Sequence, residues 1–218
     1  DNATNHQVIR GSIEKLTTTS ITITLKNKQR NPIVFNSNSK YAIEHDYMDS
    51  SYTGLYRGLY TLLTTPKHRR ELLLSQRKPQ SDPTRKLNGT YLNDTINNIV
   101  LQAKQAKDYF LLIGPPGTGK TSVALRSMVE EFHSDKETNI LLLSYTNRAV
   151  DEICEMLENI STDIEYIRIG GELSCSKPYQ PRLLKNVMQT CRNRADVVAR
   201  LNGIRIYTGT VSSIMGHP

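Results

Sequence analysis

No run of this chain is apolar for long enough to cross a bilayer, which takes about 20 residues. The opening DNATNHQVIR lacks the basic-then-apolar character of a secretory signal. It also lacks an initiator Met, as expected of a piece of a longer chain. Cysteine is scarce: Cys154, Cys175 and Cys191 are odd in number, widely spaced and form no CxxC pair. That pattern argues against a disulfide framework or a zinc site, and for reduced thiols in a cytosolic, cytoplasmic protein. The five histidines show no metal-ligand spacing. Asn88-Gly-Thr and Asn93-Asp-Thr fit the glycosylation triplet, but no secretion signal supports them. There is no internal repeat and no low-complexity tract.

What is present is a globular composition. Of 218 residues, 37% are apolar and 22% charged, enough for one large domain or two small ones. The net charge of +7 is uneven. Residues 1–90 hold 14 Lys and Arg against 7 Asp and Glu, whereas residues 91–218 hold 14 of each. The basic half reads equally as a solvated surface or as a footprint for nucleic acid phosphates.

The two halves also differ in rhythm. Across 8–46, "VIRGSIEKL", "SITITLKN" and "PIVFNSNSKYAIEHD" carry β-branched or alternating runs with turns between. Three or four short strands there predict a small barrel or meander. From about Met48 to Ser75 the period turns helical through Leu55, Leu59, Leu62 and Leu63, with Pro66 as an interruption. Residues 76–90 are rich in Pro, Ser and charge and read as a linker or surface loop. After it come a helix over about Asn93–Ala106, the strand "YFLLI", and a helix with Val123, Leu125, Met128, Val129 and Phe132 on one face. The strand "NILLLS", the helix "RAVDEICEMLENI", and the strands "EYIRI" and "IRIYTG" come next, the last two separated by a helical stretch from Pro181 to about Arg200. Such alternation implies an α/β domain with a parallel sheet over 91–218, after a first region over 1–90.

The junction of strand and helix carries the chemistry. "GPPGTGKT", Gly114 to Thr121, matches G-x-x-x-x-G-K-[ST], the Walker A phosphate loop. Gly117 and Gly119 let the backbone curl until its N–H groups face one point. The following helix adds its positive end. Lys120 reaches the β- and γ-phosphates, and the Thr121 hydroxyl is the expected ligand to Mg²⁺. The candidate ATP-binding set is Gly114, Pro115, Pro116, Gly117, Thr118, Gly119, Lys120, Thr121 and Ser122. A chance match in a Gly-rich turn is the alternative, and the strand before and helix after weigh against it.

Together with this loop, "NILLLSYTNRAVDEICEML" resembles the superfamily-1 helicases, in particular the 5′-to-3′ group of nonsense-mediated decay and helicase–nuclease proteins. Thr146, Asn147, Ala149, Val150 and Asp151 fill that family's motif Ia. The resemblance implies single-strand contacts at Ser144, Thr146 and Asn147, although Thr146 or Asn147 serves equally as a helix N-cap. "YIRIGG" is similar to the strand after motif Ia, and "IYTGTVSSI" looks like motif Ic, with Thr210 in the position that touches nucleic acid. "LNDTINNIVLQA" looks like the adenine-recognition segment, but Ile96 stands at the glutamine position and cannot make the paired amide bonds to a base edge.

The resemblance implies a RecA-like P-loop fold, α/β with a parallel sheet, preceded by a small β-barrel with a helical stalk. It implies ATP and Mg²⁺ as cofactors, single-stranded DNA or RNA as partner, and further helicase domains in the parent chain. The family's second acidic motif is not matched: Asp151-Glu152 is the only Asp-Glu pair and lies inside the motif Ia helix. The sequence therefore reads as the front of a helicase cut before that motif, with no catalytic residue of its own. Two other readings remain: an AAA+ or other P-loop NTPase, and a non-catalytic, nucleotide-sensing module that binds nucleic acid.

Overall fold

The computed structural model describes residues 9–25, 35, 40–44, 50–161 and 164–215, with backbone alone for 50–53. The chain divides between Lys78 and Pro79 into two compact units.

In the first unit, β1 (Gly11–Leu16) and β2 (Ile21–Leu25) form an antiparallel hairpin. Register runs from Gly11 opposite Leu25 to Leu16 opposite Ile21, with an irregularity between Ile13 and Lys15. The turn closes on hydroxyls: Thr17 Oγ1 accepts from the Ser20 N–H at 2.9 Å and, as in an ST-turn, from the Thr19 N–H at 3.4 Å. One hairpin does not establish the expected barrel. The segment 32–39 that should supply a further strand lies outside the described residues except for Phe35, and residues 40–44 are not strand.

Helix α1 (Ser50–Thr64) and helix α2 (Lys67–Leu73) break at Pro66, as the sequence predicts. Pro66 has no N–H, and its ψ of 141° puts it outside the helical region. Thr64 and Thr65 turn their hydroxyls back to the Tyr60 and Thr61 carbonyls at 2.8 and 2.6 Å, a local bond that competes with helix continuation. Arg70 then donates to the Leu63 carbonyl at 2.8 Å and ties the second helix to the end of the first.

In the second unit, residues 79–90 form neither helix nor named strand, but they are bonded to the body. Asp82 N–H reaches the Gln105 carbonyl, and Arg85 the Lys104 carbonyl. Helix α3 (Asp94–Gln105) is capped by Asn93, whose side chain accepts from the Ile96 N–H at 2.9 Å. Asp94 lies in its first turn and Lys104 in its last, each favourable to the helix dipole.

The strand expected over "YFLLI" is absent: residues 109–113 are not in strand. They pair with no edge of the sheet among the described residues, and Leu111 and Ile113 are exposed. A strand needs neighbours for its N–H and C=O groups, and apolar content alone does not supply them.

The sheet holds β3 (Ile140–Ser144), β4 (Tyr166–Ile169) and β5 (Ile206–Thr210), all parallel, in the order β3–β5–β4. One face is closed. Leu142, Tyr166, Arg168, Ile206 and Thr208 are buried there, with α4 (Arg126–His133) and α5 (Asn147–Glu158) packed near. Val150, Ile153, Cys154, Met156 and Leu157 bury one stripe of α5 at helical spacing. Burying a Val, Leu, Ile or Met side chain fully contributes about 1.5–3 kcal/mol, so this stripe is a large share of the core. The opposite face is covered near β4, which packs on α6 (Leu184–Val187), and is open at β3, where Leu141 and Leu143 are exposed. Helices α7 (Arg194–Asn202) and α8 (Val211–Met215) flank β5 in sequence. No helix among the described residues is long and apolar enough to span a membrane.

Candidate functional site

The phosphate loop adopts the backbone its glycines allow. Gly117 and Gly119 have φ of 80° and 76°, the left-handed region that a side chain disfavours. Thr118 folds its hydroxyl back to the Pro115 carbonyl at 2.8 Å. Lys120 does the same: its ammonium donates to the Gly114 and Pro115 carbonyls and spans the loop.

The helix that leaves the loop is not regular at its start. Residues Lys120–Leu125 form a π turn, and the α4 geometry begins only at Arg126. The Gly119 carbonyl accepts from both Val123 and Ala124, at 2.9 and 3.1 Å. Such turns are rare and gather at functional sites. Of the predicted apolar face only Val129 is fully buried; Ala124, Ser127 and Glu131 are the other buried positions.

Beside the loop lies a cavity of about 740 Å³. Pro116, Gly117, Gly119, Lys120, Thr121 and Ser122 line one side, along with Arg126. The other side is α5, through Glu152, Glu155, Met156 and Asn159. Lys120 and Thr121 thus share one space of nucleotide size. Gly114, Pro115 and Thr118 are not among its lining residues. The Thr121 hydroxyl fits a hard cation bound through oxygen, and Glu152 and Glu155 bring further oxygens to the same space. No cluster of three or more His, Cys, Asp or Glu suited to a metal occurs among the described residues. A second cavity, of about 520 Å³, holds none of the candidate residues; Arg182 stacks there on the Tyr166 ring at 5.0 Å.

The predicted single-strand contacts gather at the carboxyl edge of the sheet. Ser144 ends β3 and is the register partner of Thr210, which ends β5. Thr146 caps α5, its Oγ1 accepting from the Ala149 N–H at 3.3 Å, and Asn147 is the first helical residue. Thr210 is buried, and its hydroxyl meets Ser213 Oγ at 2.8 Å. Asp151 has a separate task. Its carboxylate pairs with the buried Arg168 guanidinium and accepts from Ser176 at 2.6 Å. Burial acts against the Arg168 charge. The guanidinium also donates to the Ser174 carbonyl at 2.8 Å. Arg168 Nε has no partner among the described residues. Ile96 sits half-buried in the first turn of α3.

Two features escape a sequence reading. One is Glu131, fully buried in α4. It accepts from Asn88 N–H at 2.8 Å, Gly89 N–H at 3.1 Å, Tyr91 Oη at 2.6 Å, and the Lys104 ammonium. Burial alone raises its carboxyl pKa; the bonds from Lys104, Tyr91 and the two N–H groups outweigh it and bring the value to about 2. The other is the face that Glu152 and Glu155 turn to the loop cavity. Their spacing of three residues places them on one side of α5, but nothing local says what that side meets.

Residues 91–202 match the model of a family described as "AAA domain". Among curated proteins, the chain is similar to a DNA replication ATP-dependent helicase/nuclease of Arabidopsis thaliana, 26% identical over 230 residues, covering 95% of this chain and 16% of that protein. A DNA replication ATP-dependent helicase/nuclease of Saccharomyces cerevisiae is 35% identical over 109 residues, covering 46% of this chain and 7% of that protein. An RNA helicase of Mus musculus is 25% identical over 104 residues, covering 48% of this chain and 8% of that protein. The chain therefore spans less than a fifth of the length of each of these relatives.

Proposed function

This chain belongs to the AAA-domain family, alongside superfamily-1 helicases, and on that footing we propose that it is the ATP-binding part of a helicase moving on single-stranded nucleic acid. The observation that carries the reading is the shared cavity of Lys120 and Thr121 at the end of a left-handed glycine turn. The N–H groups of Gly117 to Thr121 take the phosphates, Lys120 leaves the Gly114 and Pro115 carbonyls for the β- and γ-oxygens, and Thr121 holds Mg²⁺. Bound Mg²⁺ supplies charge neutralisation at those oxygens.

Ser144, Thr146, Asn147 and Thr210 take the strand backbone at the carboxyl edge of the sheet. Short hydroxyl and amide groups suit phosphate and sugar and read no base, so DNA and RNA both remain within reach. The relatives' names include helicases of both kinds. The basic region 1–90 adds sequence-independent attraction through its excess of Lys and Arg. Three free thiols suit a reducing, cytoplasmic compartment.

Calorimetry with Mg·ATP analogue tests the reading. Lys120→Ala should lower affinity at least tenfold and leave the melting temperature unchanged, because the loop is largely exposed. Retained affinity in that variant would remove the nucleotide assignment.

A further inference from the structure

Helix α1 carries rings and apolar side chains that nothing among the described residues covers. Tyr56 and Tyr60 are 71% and 70% exposed, and Leu55, Leu59 and Leu63 are exposed beside them. At about 3.6 residues per turn, Tyr56 and Tyr60 stand one above the other. The leucines form the next row, and Arg57 lies on the other flank of the rings. Leu62, on the far side of the helix, is half-buried, so the rings face outward. The charge around them has one sign. From Ser50 to Arg70 the sequence holds Arg57, Lys67, Arg69 and Arg70 and neither Asp nor Glu. Arg57, Lys67 and Arg69 are exposed, and Arg70 is engaged with the Leu63 carbonyl. The flanking acids are Asp49, before the helix, and Glu71, which pairs with Lys67 at 3.6 Å.

From this arrangement we propose that α1 is a base-stacking platform for single-stranded nucleic acid, with Tyr56 and Tyr60 taking successive bases and Arg57 taking phosphate. The inference rests on the strand reading above and deepens it, adding a site in the first unit to the contacts at the carboxyl edge of the sheet. An aromatic row edged by cations complements a polymer with flat apolar faces and an anionic backbone. The spacing fits as well. A step of four residues sets the rings about 6 Å apart along the helix, against about 3.4 Å per nucleotide in a duplex strand. A strand drawn out to that step has lost its own stacking, and each base has a bare face for a ring. A duplex has no such faces to offer, so the platform selects single strands. Every base has one, so the platform reads no sequence. A second copy of this chain suits the stripe less, because the same cations would meet across the contact.

A strand without bases separates stacking from charge. A trace of fluorescein-labelled oligothymidylate is held with the 218-residue chain at fixed, low concentration. Unlabelled oligothymidylate, or an abasic deoxyribose-phosphate strand of the same length, displaces it, read by anisotropy. In the wild type the abasic strand should bind about tenfold more weakly or worse. In Tyr56→Leu/Tyr60→Leu that ratio should fall about fivefold or more through lost oligothymidylate affinity, with the abasic Kd unchanged. Tyr56→Phe/Tyr60→Phe keeps the rings and should keep the ratio. Arg57→Gln should weaken both strands alike and lower the salt dependence. These side chains are exposed, so the melting temperature should not move. A double-Leu variant that keeps the wild-type ratio overturns the proposal, as does a wild-type ratio of one. A double-Leu variant whose only change is weaker self-association by sedimentation also overturns it, and gives the stripe to a second copy. Wild type that binds neither strand removes the strand reading itself, an outcome distinct from binding without base preference.

Discussion

Glu131 shows what one residue can hold. Four donors from two separate stretches converge on its carboxylate, and the partners lie 27 to 43 residues away in sequence. The carboxyl sits at about 2, against an ordinary 4.5. A depressed folded-state value means stability that is present above the unfolded value and lost as pH falls towards the folded one. The difference is worth about 3 kcal/mol at neutral pH. Glu131→Gln should therefore lose about that much in urea unfolding at pH 7, and the gap to wild type should close between pH 5 and pH 2. A gap that ignores pH would show that the carboxylate is not the source. No sequence reading could find this residue. In "EEF" it looks the same as Glu130, which stays at the surface paired with Arg126 at 2.9 Å. The phosphate loop lies at the other extreme, because every one of its requirements is local: φ at two glycines, one ammonium, one hydroxyl.

Elements were legible where periodicity and capping decide them. Asn93 ahead of α3 and Thr146 ahead of α5 sit where a short oxygen meets an unpaired N–H. Asn93→Ala should cost about 1 kcal/mol of stability, read as a shift in urea midpoint with an unchanged slope. A larger loss would mean that Asn93 also fixes the entry into the helix, where Tyr91 N–H is bonded to Asn97 at 2.7 Å. Pro66 broke its helix for reasons the residue carries within itself. Residues 109–113 did not become a strand, because a strand is a property of its neighbours, and the apolar run showed only half of the requirement. The π turn at Lys120–Leu125 was equally hidden. "KTSVAL" has nothing unusual for a regular helix.

At the scale of the whole molecule, a parallel sheet flanked by helices followed from the order of patterns, while a barrel in the basic region does not follow from one hairpin. On the proposed reading, Lys120 and Thr121 in the cavity take phosphate, and the carboxylates that line it among the described residues are Glu152 and Glu155 of α5. Turnover needs a carboxylate that orients water, a second that helps hold Mg²⁺, and an arginine free to meet the developing charge. Arg126 is paired with Glu130, and Glu152 and Glu155 stand on a helix rather than at a strand end. The 218-residue chain should hold Mg·ATP and release phosphate no faster than Lys120→Ala, with or without oligothymidylate. Stimulated release that disappears in Lys120→Ala would assign the acid's role to Glu152 or Glu155. The open side of the sheet has a practical consequence. Leu141 and Leu143 stand exposed on β3, an edge strand whose outer N–H and C=O groups have no ladder among the described residues, with Leu111 and Ile113 bare as well. Such a side is adhesive towards its own copies. Raising the protein concentration therefore titrates self-association along with any ligand. Binding curves on this chain should be built by varying the ligand at fixed, low protein, with light scattering recorded in the same cell.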